Sequence, residues 1–355
     1  MRAPRMRATK QKNRPGLFFC LALLAGCGSS EPRVVLYVSA DDHVARPIIR
    51  TFERQTGIRV DMVGDTEQTK TTGLANRLLA ESDNPQADVF WSSEVFHTIR
   101  LADEGVLAAH VSAIAADRPA ALQDPQHRWH GFAARARVIV YAPDRVDPDE
   151  VPRTWMDLTR PSLQGRIVMA DPRFGTTGGH LGAMKAYWTK LAGAAYYEAF
   201  LMGLADNRVR LLPGGNAAVV RAVADGEADF GLTDTDDVWA ARAAGHDVQL
   251  IYARHMLKGV PGGGTLLIPN SVARVTGGPN PSRAAVLIDY LLGEQVERLL
   301  AGSVSHNVPV HAAVAAEFPE YAVPDPLEVN LSRTAAAMPG AIDQAMRYLD
   351  HPDAP

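Results

Sequence analysis

The sequence has very few cysteines, and this excludes a disulfide framework. Cys20 and Cys27 are the two cysteines among 355 residues. Cys20 lies in an apolar run near the N-terminus that we expect to be removed. A single cysteine then remains, so no disulfide within the chain is expected even in an oxidising compartment. The length suits two domains of usual size.

Apolar runs long enough to cross a bilayer are also missing. The run "LFFCLALLAG", residues 17–26, has roughly ten residues, whereas a membrane-spanning helix needs about 20. Six basic residues precede this run, and no acidic residue occurs before Glu31. A basic start followed by a short apolar run is typical of a cleaved export signal.

Small residues stand directly before Cys27 in "LAGC", residues 24–27. This motif resembles the lipobox of bacterial lipoproteins, and the resemblance implies that Cys27 begins the mature chain and carries acyl groups. An ordinary secretory signal cut nearby would change the anchoring but not the export. We predict a lipoprotein signal peptide at residues 1–26, a flexible tether at 27–32 and membrane attachment through lipid on Cys27.

An excess of basic residues is absent from the predicted mature chain. Without the six N-terminal ones, 30 basic residues remain against 40 acidic ones, a formal charge of about −10. Nucleic-acid binding depends on Lys and Arg clusters that neutralise phosphates. The charge balance therefore argues against a nucleic-acid partner.

Common catalytic motifs are missing as well, including G-x-S-x-G, H-E-x-x-H and G-x-x-x-x-G-K-[ST]. One pattern keeps an enzyme in consideration: "DTDDV", residues 234–238, matches D-x-D-x-[TV] of haloacid-dehalogenase-type phosphatases. In that hypothesis Asp234 is the nucleophile and Asp236 the acid/base. The motif normally follows the first strand of its domain, whereas here it comes late in the chain. We predict that the protein is not an enzyme and keep the phosphatase as an outside alternative.

The sequence does contain a regular alternation of short β-rich segments with helical segments. This alternation predicts an α/β fold with a largely parallel sheet, and residues 33–93 read as β-α-β-α-β. Polar side chains follow the strands, and ligands of open α/β sheets bind at the carboxyl ends of strands.

Two extended segments, residues 130–144 and 247–269, show little helical pattern. We interpret them as crossings between two α/β lobes, which makes a hinged clamshell that closes around a ligand. The predicted divisions are lobe 1 at 33–133 and 259–310, lobe 2 at 134–258, and a C-terminal helical segment at 311–355.

Four blocks of sequence resemble the ferric-iron type of extracellular solute-binding proteins of ABC importers. They are "VVLYVSADDHVARPIIRTFERQTGIRV", "ADVFWSSEVFHTIRLADEGVL", "RARVIVYAPDRV" and "AVADGEADFGLTDTDD". They occur in the family's order between about Arg33 and Pro309. The resemblance implies a type II periplasmic-binding-protein fold, a small solute as ligand, and delivery to the permease and ATPase subunits of an ABC importer.

The residues that bind iron in that family are only partly present. The family's two adjacent tyrosines match Asp236 and Asp237, so the phenolate pair is missing. The family's histidine after the first strand matches Asp41, and its acidic ligand falls near Ser93 or Glu94.

The resemblance also implies a place for an accompanying anion. The family's small-residue loop for this anion matches Thr176, Thr177 and Gly178, and a helix-starting asparagine matches Asn216. Free backbone N–H groups at helix N-termini favour anions, although Thr and Asn also serve there as ordinary caps.

Three aspartates, Asp234, Asp236 and Asp237, lie within four positions after an apolar segment. Carboxylates are hard oxygen donors that suit Fe³⁺, divalent ions or ammonium groups. The alternative is that Asp236 or Asp237 caps a helix beginning near Val238.

A positive partner for an anion is offered by Arg135 or Arg137 in the first crossing segment, unless that arginine is solvated or ion-paired. The predicted metal ligands are Asp236, Asp237 and Glu94. The full predicted ligand-binding set is Ser39, Asp41, Ser93, Glu94, Arg135, Thr176, Thr177, Gly178, Asn216, Asp234, Asp236 and Asp237.

We expect ferric iron, alone or with an anion, as the transported ligand rather than as a resident cofactor. Because the tyrosines are missing, an organic phosphate or phosphonate is the alternative ligand. The chain is expected to be a monomer, exported to the periplasmic face of a membrane in the cell envelope.

Overall fold

The computed structural model describes residues 31–65, 70–256 and 260–350. The predicted signal peptide and the predicted lipid attachment at Cys27 lie outside the described residues. The described residues from Pro32 onward form one compact unit. None of the described helices is both long enough and apolar enough to cross a membrane.

The described residues form a mixed ten-stranded sheet with the order β2-β1-β3-β10-β5-β8-β6-β7, in which β4 pairs with β10 and β9 with β5. The strands are β1 (Arg33–Val38), β2 (Arg59–Gly64), β3 (Val89–Ser92), β4 (Leu107–Ala108), β5 (His130–Tyr141), β6 (Ile167–Ala170), β7 (Arg210–Leu212), β8 (Phe230–Asp234), β9 (Gln249–Ile251) and β10 (Leu267–Val275).

The described α-helices connect and cover these strands. They are α1 (Asp42–Thr56), α2 (Lys70–Ala80), α3 (Phe96–Asp103), α4 (Gly175–Ala192), α5 (Ala194–Asp206), α6 (Gly215–Ala224), α7 (Thr235–Ala243), α8 (Pro281–Leu291), α9 (Glu294–Ala301), α10 (Ala312–Glu317) and α11 (Leu331–Leu349). Short 3₁₀ helices occur at Ala113–Ala115, Ala120–Leu122, Trp155–Thr159, Pro161–Leu163 and Pro319–Tyr321.

The predicted β-α-β-α-β start is confirmed. Strand β1 lies between β2 and β3 and runs parallel to both. Helix α1 buries Ile48, Ile49 and Phe52 against the sheet and ends at Gly57, whose φ of 69° is the left-handed conformation that glycine adopts easily. The spacing of the apolar residues and the glycine stop are both local signals, which is why the sequence predicts this helix well.

Strand β5 passes through both halves of the sheet. Its first residues pair antiparallel with β10, and its last residues pair antiparallel with β8 and β9. The prediction of a crossing strand in residues 130–144 is therefore confirmed. The sheet is mixed rather than largely parallel, because β5 and β10 run against their neighbours. The predicted lobe boundaries stay predictions.

Helix α4 begins earlier than the sequence indicates. The Gly/Thr-rich segment before Leu181 was expected to be a loop, whereas it forms the first turns of the helix. Its glycines are required by packing: a Cβ on Gly179 would lie 2.1 Å from a ring carbon of Phe96, and a Cβ on Gly178 would lie 2.5 Å from the carbonyl oxygen of Pro172. Small residues here allow helix α4 to approach its neighbours closely.

The C-terminal helix α11 packs along α4 and also contacts α3. Its buried residues include Leu331, Met338 and Leu349, which recur at helical spacing on one face. Burying each of these side chains stabilises the fold by roughly 1.5–3 kcal/mol. The C-terminal segment thus helps to hold α4, whose first turn lies at the cavity described below.

Candidate functional site

A cavity of about 60 Å³ lies at the ends of β1, β3 and β8, beside the middle of β5. Nine of the twelve residues in the predicted ligand-binding set line it. These are Ser39, Asp41, Ser93, Arg135, Thr176, Asn216, Asp234, Asp236 and Asp237. The structure thus brings together residues that are almost 200 positions apart, and their role in ligand binding stays a prediction.

Several other residues that line the same cavity were not predicted from the sequence. Asn270 comes from β10, whose position beside β5 could not be inferred from local pattern. The others give no recognisable signal because they are ordinary core or loop residue types. The missed lining residues include Trp91, Phe174, Asn270, Ser305 and Asn307.

Three carboxylates cluster where β8 passes into α7. Each of Asp234, Asp236 and Asp237 offers an oxygen atom, and these atoms lie within 4.8 Å of one another. Helix α7 begins at Thr235 rather than near Val238, so Asp236 and Asp237 occupy its first turn. The helix dipole favours acidic residues at that end by about 0.3–1 kcal/mol each. The dipole alone is too weak to hold three carboxylates together.

Arginine side chains from β5 supply the missing positive charge. Arg137 Nη1 lies 2.8 Å from Asp234 Oδ1, and both side chains are fully buried. Arg135 Nη1 lies 2.9 Å from Asp236 Oδ2. Arg137 and Asp234 are register partners on neighbouring strands, so the sheet itself aligns the buried pair.

Arg135 keeps its charge although its side chain is only 13% exposed. Burial by itself would lower the pKa of this guanidinium, but the nearby carboxylates, Asp236 first among them, raise the pKa above its ordinary value. Arg135 Nη2 also donates a long hydrogen bond of 3.4 Å to Asn270 Oδ1. The cavity wall therefore carries a fixed positive charge beside several carboxylates.

The opposite wall, at the ends of β1 and β3, is built from hydroxyl groups. Thr71 Oγ1 donates to Ser39 Oγ at 3.0 Å, and the backbone N–H of Ser93 donates to the same oxygen at 2.9 Å. Ser39 Oγ in turn lies 3.2 Å from Ser93 Oγ. These contacts fix the orientation of Ser39 and Ser93, and Thr71 was not predicted because it stands inside a helical pattern.

A second, larger cavity of about 970 Å³ shares Ser39, Ala40 and Asp41 with the first. Its remaining lining includes charged side chains of both signs, among them Asp42 and Arg221. The shared residues make the small cavity the inner part of a wider cleft.

Glu94, Thr177 and Gly178 do not line the inner cavity. The Glu94 carboxylate accepts hydrogen bonds from the backbone N–H groups of Phe96, at 2.5 Å, and His97, at 3.2 Å, at the start of α3. Burial raises the pKa of Glu94 to about 7 in spite of these donors. The Glu94 carboxylate thus satisfies backbone N–H groups at the start of α3, and its predicted role as a metal ligand stays a prediction.

Thr177 and Gly178 are buried inside α4, where they face neighbouring chain segments. Helix α5 contains two adjacent tyrosines, Tyr196 and Tyr197. Tyr197 is buried, and its Oη donates to the carbonyl oxygen of Ala341 at 3.1 Å.

Two buried histidines form a hydrogen-bonded pair outside the cavity lining. His255 Nδ1 lies 2.7 Å from the carbonyl oxygen of Gly264 and must donate to it. Neutral His255 therefore offers Nε2 as an acceptor, and His180 Nε2 donates to it at 3.0 Å. Burial lowers the pKa of His255 to about 4 and lowers the pKa of His180 well below its ordinary value.

This pair predicts acid sensitivity of the fold. Because the folded pKa values lie below the unfolded value of about 6.5, the unfolded chain takes up protons first, and stability falls as the pH decreases through 6.5 towards 4. In His180→Gln the amide can still donate to His255, and one of the two titrating groups is lost. We expect urea unfolding at pH 7 and pH 5 to show a loss of stability about 2 kcal/mol smaller for the variant than for the wild type. His246→Gln, at an exposed histidine, is the control, and equal pH dependence in all three proteins would contradict the prediction.

Comparison with known proteins decides the family. Residues 84–328 match the family described as bacterial extracellular solute-binding protein. The chain belongs to this family. Among curated relatives, the iron uptake protein A1 of Synechocystis sp. is 26% identical over 307 residues, covering 82% of each chain. The Fe(3+)-binding periplasmic protein of Serratia marcescens is 26% identical over 291 residues, covering 79% of each chain.

Solved structures of other proteins have a similar fold. Iron-bound HitA from Pseudomonas aeruginosa superposes with a TM-score of 0.76 at 23% identity, covering 88% of this chain and 99% of HitA. AfuA from Actinobacillus pleuropneumoniae, with fructose-6-phosphate bound, superposes with a TM-score of 0.74 at 18% identity, covering 90% and 99%. The predicted type II periplasmic-binding-protein fold, with its two α/β lobes, is thereby confirmed, and the protein is an extracellular solute-binding protein.

Proposed function

We propose that this solute-binding protein captures ferric iron outside the cytoplasmic membrane and delivers it to the permease and ATPase subunits of an ABC importer. The family and the names of the iron-binding relatives support this proposal. In the same proposal the chain is a periplasmic monomer, held at a membrane by lipid on Cys27. It performs no catalysis, because Asp234, the nucleophile of the phosphatase alternative, is fully buried in an ion pair with Arg137.

The observation that carries the proposal is the carboxylate cluster in the inner cavity. Asp41, Asp234, Asp236 and Asp237 line it together with Arg135, and Arg137 lies directly behind Asp234. Four carboxylates against two guanidinium groups give a formal charge of −2, which attracts a cation. Carboxylate and hydroxyl oxygens are hard ligands that suit Fe³⁺.

Capture requires the two lobes to approach each other. The hydroxyl wall follows β1 and β3, whereas the carboxylate wall follows β8, and β5 connects both halves of the sheet. Hinge closure around a ligand is a known motion of two-lobed binding proteins. A cation held by Asp236 and Asp237 would draw Asp41 and the hydroxyl wall towards it and so favour the closed form.

An organic phosphate is the second candidate ligand. It is favoured by the structural similarity to AfuA and by the wide outer cleft, which has room for a sugar. Against it stands the negative charge of the inner cavity. Native mass spectrometry of the protein produced without its lipid distinguishes the two ligands. An added mass of a metal ion supports iron as the ligand. An added mass of an organic phosphate shows that the organic phosphate is the ligand instead of iron.

The iron-loaded protein is expected to be nearly colourless. Tyrosine-bound Fe³⁺ absorbs strongly in the visible because charge moves from phenolate to iron, and the inner cavity has no tyrosine among its described lining residues. After loading with Fe³⁺ from its nitrilotriacetate chelate, we expect one equivalent of bound iron without a strong visible band. An intense band would show that a tyrosine binds the metal and would overturn the carboxylate site. Absence of bound iron would reject the proposed ligand itself.

A further inference from the structure

The ends of two helices converge on the carboxylate of Asp234. Thr176, in the first turn of α4, donates from Oγ1 to Asp234 Oδ2 at 2.5 Å. Asn216, in the first turn of α6, donates from Nδ2 to the same oxygen at 2.7 Å. Arg137 Nη1 donates to Asp234 Oδ1 at 2.8 Å. Both carboxylate oxygens thus accept hydrogen bonds, and Asp234 is fully buried.

The same donors are the ones that would bind a free oxyanion. A guanidinium group, a hydroxyl, an amide and two helix N-termini form a set that suits phosphate, sulfate or a carboxylate. The donors are also locked to one another: Arg137 Nη1 lies 3.1 Å from Thr176 Oγ1, and Asn216 Nδ2 donates to Thr176 Oγ1 at 2.9 Å. A preorganised set of this kind binds an anion without having to rearrange.

We propose that Asp234 is a built-in anion that occupies the oxyanion site of this protein. Asp234 belongs to strand β8, which pairs with β5 and β6, so its carboxylate cannot leave as a free ligand would. An external oxyanion is excluded from this position, and the inner cavity keeps the negative charge that favours a cation. Asp234 is therefore a specificity-determining residue. Its consequence for iron rests on the proposed function, whereas the exclusion of free anions does not.

A purely structural ion pair makes a different prediction. If Asp234 served only to neutralise Arg137, its removal would destabilise the protein and no anion would restore the stability in a saturable manner. If Asp234 fills an anion site, its removal leaves a cavity with three oriented donors. A small anion can then enter and take the place of the carboxylate.

The test uses metal-free protein, so its result does not depend on whether the protein binds iron. Thermal unfolding of wild type and Asp234→Ala is measured against increasing formate and, separately, inorganic phosphate, with chloride at equal ionic strength as reference. We expect a saturable rise of Tm in Asp234→Ala and apparent anion binding at least about tenfold tighter than in the wild type, a difference of about 1.4 kcal/mol.

The matched control is Asp229→Ala, which breaks the ion pair of Asp229 with Arg166, 2.5 Å apart and outside the cavity lining. This variant should respond to formate and chloride alike. An equal response of Asp234→Ala and Asp229→Ala, or a wild type that binds formate as well as Asp234→Ala does, overturns the proposal. If Asp234→Ala is recovered unfolded, its refolding yield decides: a yield that rises with formate but not with chloride supports the proposal, and equal yields overturn it.

Discussion

Asp237→Asn is expected to lower the affinity for Fe³⁺ by at least about 100-fold, because removing a unit charge about 4 Å from a cation near a protein surface costs about 4 kcal/mol or more. The amide keeps the size of the side chain and one oxygen, so the change is mainly one of charge. Asp234 and Asp236 each pair with an arginine, at 2.8 and 2.9 Å. Asp237, in the first turn of α7, is the third carboxylate of the cluster, and it lines the inner cavity.

The measurement is a competition titration against a chelator of known affinity for Fe³⁺. Asp247→Asn serves as the control, since Asp247 is exposed and lies outside the cavity lining while the chemical change is the same. Thermal unfolding of the metal-free variants checks that both are folded. An Asp237→Asn protein that binds Fe³⁺ as tightly as the wild type would place the metal ligands elsewhere.

Glu297→Ala is expected to lower the free energy of unfolding by about 3–5 kcal/mol, the usual cost of breaking a buried ion pair. Glu297 and Arg118 are almost completely buried, and their side chains meet at 2.7 Å. Glu297 Oε2 also accepts hydrogen bonds from the backbone N–H groups of Val310, at 3.0 Å, and His311, at 2.8 Å. The variant would remove the carboxylate partner of a buried guanidinium and the acceptor of three backbone N–H groups, those of Ala133, Val310 and His311.

Glu294→Ala, one turn earlier in the same helix, is the matched control for this prediction. Glu294 is paired with Arg298, but both side chains are about 41% exposed. Exposed ion pairs contribute about 0–1 kcal/mol, so a small loss is expected. Urea unfolding of both variants at pH 7 makes the comparison. Equal losses of unfolding free energy in the two variants would contradict the prediction. They would mean that the buried glutamate does not hold the segment at 310–311 against α9.

Local signals account for the parts of the fold that the sequence predicted well. Strand β1 and helix α1 were recognised because their apolar residues repeat with the period of each element and because Gly57 stops the helix. The start of α4 was missed because glycine and threonine normally indicate a loop, and only the close approach of Phe96 to Gly179 explains their presence in a helix.

The sequence predicted where the candidate site residues lie more reliably than what each side chain does there. Strand ends in an α/β fold gather at common edges, and this rule placed Ser39, Ser93 and Asp234 together. Glu94 obeys the same rule in sequence, yet its side chain turns back to cap α3. No local pattern distinguishes a carboxylate that faces a cavity from one that caps the next helix.

By itself the sequence determined the α/β alternation, the crossing strand β5, the family resemblance and the acidic character of the segment at 234–237. Only the tertiary structure decided which of those aspartates are already paired. Arg137 and Asp234 are 97 residues apart, and they meet because β5 and β8 are neighbours in the sheet. The physical reason is range: periodicity and capping act over a few residues, whereas the charge of a buried site depends on side chains that distant strands bring within about 3 Å of each other.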